Sequence, residues 1–236
     1  MQVTTGRAFD RLVNFTDAVV AVAITLLVLS IVDIRGTATE TTVWQVIADN
    51  ASQVIAFGFT FVVVAAMWSV HNRLFNRLRG FDGVIFRLNL VWLFGVVLLP
   101  WPSALYGEGL QGHAMEWSGG QGFGGTGLFY WGTLAVISTM TGLMSRHIRR
   151  HPELLDPESG TAARHPMRGF AFAIAFLVYG ITSVVFPDAM VWLPWTLVPL
   201  AIWFGRTERA MNQTTNETMN QPAAGPSADP QAEKEQ

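Results

Sequence analysis

The stretch RLVNFTDAVVAVAITLLVLSIV, Arg11 to Val32, decides the fold. From Ala18 to Val32 its polar members are Thr25 and Ser30, and one carboxylate, Asp17, stands at its mouth. A helix rises about 1.5 Å per residue and a bilayer core is about 30 Å thick, so some 20 mostly apolar residues suffice to span it. Asp17, Ala21, Thr25 and the Val28–Leu29 pair recur at helical spacing and share roughly one face. Val22, Thr25 and Leu29 stand at i, i+3 and i+7, which sets a hydroxyl between two aliphatic layers. Two readings follow from this spacing. Either several copies of the helix meet at a symmetry axis and the stripe lines a narrow pore, or a lone span bonds Thr25 to its own i−4 carbonyl and leaves Asp17 at the headgroup boundary.

Working outward, the chain has 236 residues, half of them hydrophobic, with 9 Trp, 16 Phe and only 14% charged residues. That composition, with successive long apolar runs, predicts an all-α polytopic membrane protein. Cysteine is absent, which removes disulfides, thiolate metal sites and thiol nucleophiles. The first run lacks the short core and small-residue cleavage pattern of a secretory leader, so it is expected to remain as a span.

Five further helices are predicted at about Val43–Phe75, Val84–Leu105, Leu128–Ser145, Gly169–Phe186 and Ala189–Gly205, making six in all. The second is longer than a bilayer needs and is expected to tilt or project. The third ends at Leu99-Pro100-Trp101-Pro102, and the sixth carries Pro194 and Pro199 and should be kinked. Loops are read at Asp33–Thr42 and at the glycine-rich Gly107–Gly127. Residues 1–206 form the membrane domain, and the polar residues 207–236 are too poor in apolar side chains to fold. Arg7 and Arg11, the Arg73–Arg79 link, the Arg146–Arg168 link and Arg206 with Arg209 all fall on one side of six spans, with Arg35 opposite. By the positive-inside rule both termini are cytoplasmic. With no organelle-targeting feature and a single repeat, the expected location is a prokaryotic plasma membrane.

Trp68, His71, Asn72 and Arg73 close the second helix, and Asp82, Arg87 and Asn89 open the third, at the depth of Arg11 and Asp17. These groups either pack three helix ends together through opposed charges and amide or imidazole donors, or face water separately. If Asp17 is buried it needs a partner, and Arg11 and His71 are the natural ones.

Arg11-x-x-x-Phe15-Thr16-Asp17, with Thr25-Leu26-Leu27 beginning eight residues after the Asp, resembles the first-helix signature of the transmembrane protein 175 family of potassium channels, in its prokaryotic single-repeat type. Thr16 stands where the family usually has Ser. Trp68-x-x-His71, Asp82, Leu88-Asn89 and Leu99-Pro100-x-Pro102 are similar to that family's second and third helices, so the likeness covers about the first 105 residues. The resemblance implies a homotetramer in membrane lipid whose pore is lined by the first helix of each chain. It implies a constriction at Val22, with Leu26 and Leu29 further along, and potassium passing near Thr25. It also implies that Arg11, Phe15, Thr16, Asp17, Trp68, His71, Asp82 and Asn89 form a structural network at the cytoplasmic ends. No TVGYG loop is present, so selectivity is expected from hydrophobic constrictions and the Thr25 layer. A second functional reading is a proton-coupled transporter relaying through Asp17 and His71, although no internal repeat is evident.

Other patterns are weaker. Gly120-Gln-Gly122-Phe-Gly124-Gly125 satisfies G-x-G-x-x-G but follows no strand, so it reads as a linker. His147 and His151, at i and i+4 without an intervening Glu and amid Arg146, Arg149 and Arg150, read as a solvated basic flank rather than a metal site. The chain shows no catalytic constellation and is read as neither an enzyme nor a nucleic-acid binder, with no cofactor and no metal beyond permeating potassium.

Overall fold

The computed structural model describes residues 3–32, 42–110, 124–157, 167–186 and 196. All but Thr196 belong to one compact unit, Met1–Val191. The elements are β1 (Thr4–Thr5), α1 (Arg7–Leu26), α2 (Leu29–Val32), α3 (Val43–Asp49), α4 (Ala51–Phe75), β2 (Gly80–Phe81), α5 (Gly83–Leu98), α6 (Pro100–Leu110), α7 (Gly124–Arg150), a 3₁₀ turn at Pro152–Leu154 and α8 (Met167–Val185). The predicted all-α membrane architecture is present. Arg7–Val32, Ala51–Phe75 and Gly125–Arg150 are long and apolar enough to cross a membrane, and α5 with α6 makes a fourth crossing if the bent pair is one span. The shorter apolar α8 occupies the predicted fifth segment. The predicted sixth helix, Ala189–Gly205, and the tail lie outside the described residues, as does most of the Asp33–Thr42 loop.

Three departures from the sequence reading have local causes. The predicted second helix is two helices. Thr42 caps α3 in a capping box with Gln45, the Thr42 hydroxyl accepting from Gln45 N at 3.3 Å and Gln45 Oε1 accepting from Thr42 N at 2.9 Å. Asn50 then ends α3 by giving its side-chain N–H back to the Val46 carbonyl at 2.9 Å, a local bond that competes with helix continuation. The third span does not stop near Leu105. It bends by 40° at Leu99–Pro100 and continues to Leu110, because proline has no N–H for the ladder and its ring crowds the preceding turn. The fourth helix runs on through the basic residues to Arg150, whose charges sit favourably on the partial negative end of the helix.

Packing follows helical stripes. On α1 the buried set is Leu12, Thr16, Val20, Ala23 and then Leu27, at steps of four and three. On α5 it is Ile85, Asn89, Trp92, Leu93, Gly95 and Val96. The bend before α6 is held by a buried hydroxyl cluster that sequence reading missed: Thr60 on α4 lies 2.9 Å from Ser103 on α6 and 2.8 Å from Tyr130 on α7. At the base of the bundle, the polar lead Thr4–Thr5 pairs antiparallel with Gly80–Phe81. Gly6 turns that strand into α1 with φ 65°, a conformation that glycine adopts freely.

Helices α7 and α8 approach closely at a pair of glycines, where a methyl group on Gly169 would lie 2.7 Å from the Gly142 backbone. Gly58 on α4, by contrast, faces open space. Gly169→Ala should therefore destabilise the protein by about 1–3 kcal/mol through forced separation of the helices. Gly58→Ala should be neutral or stabilising by up to ~1 kcal/mol. Thermal unfolding of both variants in one detergent checks the contrast.

Candidate functional site

The stripes of α1, α4 and α5 converge on three buried polar side chains, Thr16, His71 and Asn89. Asn89 is completely buried at the centre. Its Nδ2 donates to the Thr16 hydroxyl at 2.9 Å, and its Oδ1 accepts at 2.8 Å from His71 Nε2. Since an amide oxygen only accepts, the imidazole must carry its proton on Nε2. The His71 ring stacks on Phe75 with centroids 4.2 Å apart and on Trp92 at 4.1 Å, which fixes its plane. An amide with both a donor and an acceptor is the group that can join a hydroxyl to an imidazole in one step.

One residue beyond Thr16, at the edge of the buried stripe, the Asp17 carboxylate accepts the Trp68 indole N–H at 2.9 Å. The sequence reading offered Arg11 and His71 as its partners, and the structure gives it Trp68 instead. His71 is committed to Asn89, while Arg11 is exposed, on the far side of the buried stripe, and makes no hydrogen bond or ion pair among the described residues. Phe15 is likewise exposed and lines a shallow surface depression with Arg11, Asn14 and Phe86. Arg11 and Phe15 thus stand apart from the polar cluster. The relay pairing of Asp17 with His71 has no hydrogen bond between the two.

Asp82 serves as the cap of α5. Its Oδ1 accepts from Val84 N at 3.2 Å and Ile85 N at 2.8 Å, while its Oδ2 accepts His147 Nε2 at 2.8 Å. Burial pushes the Asp82 carboxyl up, but the bonds from Ile85, His147 and Val84 together hold it below the usual carboxylate range. The expectation for His147 is therefore corrected: it is half-buried and tied to α5 rather than lying in a solvated flank. Sequence spacing hides this partnership because 65 residues separate the pair. His151 does stay near the surface, bonded to Glu153 at 2.9 Å.

The predicted stripe on α1 points the other way. Val22, Leu26 and Leu29 are 57%, 37% and 58% exposed, whereas Val20 and Leu27 are each 1% exposed. Thr25 is exposed among them and gives its hydroxyl proton to the Val22 carbonyl at 2.7 Å, at i−3 rather than the i−4 considered from sequence. Beyond Thr25 the helix tightens. Val28 N bonds Thr25 O at 3.2 Å and Ser30 N bonds Leu27 O at 3.0 Å, both i−3 contacts of the 3₁₀ type. No group of three or more His, Asp or Glu suited to a metal ion occurs among the described residues.

Comparison with known proteins bears on this arrangement. Residues 11–100 match the family described as endosomal/lysosomal potassium channel TMEM175. A potassium channel of Streptomyces collinus is 27% identical over 198 residues, covering 83% of this chain and 90% of that protein. A potassium channel of Chamaesiphon minutus is 34% identical over 42% of this chain and 49% of its own length. Among solved structures, the lysosomal potassium-selective channel TMEM175 homolog from Chamaesiphon minutus superposes with a TM-score of 0.63 at 25% identity, covering 86% of this chain and 98% of that one. A variant of the potassium channel MtTMEM175, at 21% identity and a TM-score of 0.52 over 88% of this chain and 94% of that one, shares the fold.

Replacing Asn89 by Leu keeps its bulk but strands the Thr16 hydroxyl and the His71 N–H in a dry interior, at about 1–3 kcal/mol for each stranded group. Trp68→Phe removes one donor from a part-buried carboxylate and should cost less. Chemical unfolding of the purified protein measures both, and an Asn89→Leu variant as stable as the parent would contradict the geometry.

Proposed function

We propose that the chain is a member of the TMEM175 family and, on that premise, a potassium channel whose pore is lined by α1 of four identical chains. The observation that carries this reading is the division of α1 into two faces. One, with Thr16, Val20, Ala23 and Leu27, is packed against the other helices of its own chain, and the other, with Val22, Thr25, Leu26 and Leu29, is left uncovered. An apolar helical face with a hydroxyl at its middle is complementary to copies of itself around an axis. Around that axis Val22, Leu26 and Leu29 form narrow apolar rings that restrict water and ion entry.

Thr25 supplies the polar layer between them. Its proton is committed to Val22 O, so the hydroxyl oxygen presents lone pairs away from the backbone. Four such oxygens offer a dehydrating cation partial negative charge without a fixed anion, and potassium near Thr25 is the permeant species. The cluster of Thr16, Asp17, Trp68, His71, Asp82 and Asn89 positions the helix and does not touch the ion. Both termini are cytoplasmic by the distribution of arginines, the protein sits in a plasma membrane surrounded by lipid, and residues 207–236 form a polar tail.

The test is current and reversal potential in planar bilayers. Val22→Asn or Leu29→Asn makes the constriction easier to wet and should raise cation leak severalfold. Thr25→Val removes the hydroxyl layer and should shift potassium preference over sodium. Leu27→Met, on the packed face, should change neither. Absence of any effect at Val22 and Leu29 would show that α1 does not line the pathway in this orientation.

A further inference from the structure

Outside the pore face, titratable groups gather where α7 ends. His147 Nε2–H donates to Asp82 Oδ2 at 2.8 Å. The His147 and His151 rings lie 4.5 Å apart at 39°, and His151 Nδ1–H donates to Glu153 Oε1 at 2.9 Å. The result is an acid–imidazole–imidazole–acid row joining the cap of α5, the end of α7 and the 3₁₀ turn. Backbone bonds tie the same pieces together. Arg79 N bonds Leu154 O at 3.0 Å and Asp156 N bonds Arg77 O at 2.9 Å, around a bridge between Leu78 and Leu155. The next two residues of that link, Gly80 and Phe81, pair with Thr4 and Thr5, which lead through Gly6 into α1. Hydrogen bonds and short runs of backbone therefore connect the histidine row to the base of α1.

We propose that this row is a proton-operated latch, in which protonation of His147 and His151 from the cytoplasm alters the grip of α7 on the base of α1 and makes conduction depend on cytoplasmic pH. This rests on the channel reading above. Imidazole is the one side chain whose ordinary titration falls between pH 5 and 8. A neutral His147 already gives the Asp82 carboxylate a donor, and the imidazolium adds the direct attraction of opposite charges to that bond. Each ring has its own carboxylate to lean on, His147 at 2.8 Å from Asp82 and His151 at 2.9 Å from Glu153. Asp82, held below the ordinary carboxylate range, stays an anion near neutral pH.

Other charges surround the row. Arg146, Arg149 and Arg150 on α7 are exposed, and Arg79 on the link gives its Nε–H to the Glu153 backbone carbonyl at 2.8 Å. Arg77 and Asp156 carry the backbone pairing and are only half-buried. From Gly169 to Val185, α8 has no acidic, basic or imidazole side chain to set against the row. The latch should therefore tighten as pH falls from 8 to 6 and loosen only when Asp82 itself is protonated, below its lowered range.

The experiment compares wild type with His147→Gln, which keeps a neutral donor for Asp82 but does not titrate. Potassium current is measured in planar bilayers with the pH of the cytoplasmic face set to 6 or 8, alongside thermal unfolding of the same preparations at both pH values. A wild-type current ratio of roughly threefold or more between the two pH values is expected, falling to near unity in the variant with its pH 8 current retained. Wild-type unfolding should shift upward at pH 6, and that shift should disappear in His147→Gln. If His147→Gln fails to fold, Asp82→Asn, still a competent cap, must show the same loss of pH response. A pH-independent wild-type current, or an equal pH response in wild type and variant, overturns the latch. No potassium current at either pH would sink the channel reading instead, and the latch would then stand or fall on the unfolding shift.

Discussion

A buried amide that must satisfy both of its ends fixes how the first helix is rotated. Asn89 has no water to bond, so its donor and acceptor have to be met inside the protein. Thr16 meets the donor and His71 the acceptor, at 2.9 and 2.8 Å. Turning α1 by one residue, about 100°, would carry Thr16 away and leave the amide hydrogen stranded. Because Thr16 is held inward, Val20, Ala23 and Leu27 follow it inward at helical spacing. Val22, Thr25, Leu26 and Leu29 are left outward, and the proposed conduction face is a consequence of that one bond pattern.

The rest of the molecule reads as support for the same rotation. Trp68 holds Asp17 at the edge of the cluster, and the Phe75 and Trp92 rings hold the His71 plane so that its Nε2–H meets Asn89. Thr4 and Thr5 anchor the start of α1 to the link that precedes α5. At the other end, α2 packs against α6, which the Thr60–Ser103–Tyr130 hydroxyls tie to α4 and α7. Both ends of the first span are thus fastened to its own chain while one side of it stays open.

Much of this was legible in the sequence, for physical reasons that differ by element. Apolar run length marked the spans, since a bilayer imposes a length, and helical spacing placed Val22, Thr25 and Leu29 on one face before any coordinates. The ordered motif from Arg11 to Asn89 marked the polar cluster. Its wiring was not legible, because Asp17 was given to Arg11 or His71 when Trp68 lies within reach of it. His147 was missed because its partner is distant in sequence and its neighbours are arginines. The break at Asn50 and the continuation past Pro100 depend on a side chain choosing a local carbonyl and on a bend being tolerated. Apolar pattern alone does not register either.

The account turns on which face of α1 meets the ions. The chain contains no cysteine, so single Val22→Cys, Thr25→Cys, Leu29→Cys, Val20→Cys and Leu27→Cys variants each carry one thiol. The measurement is potassium current in planar bilayers before and after a small, charged, thiol-specific reagent. The account predicts that current changes on modification at Val22, Thr25 and Leu29 and is unaffected at Val20 and Leu27. Equal modification at both sets, or an effect confined to Val20 and Leu27, would contradict it.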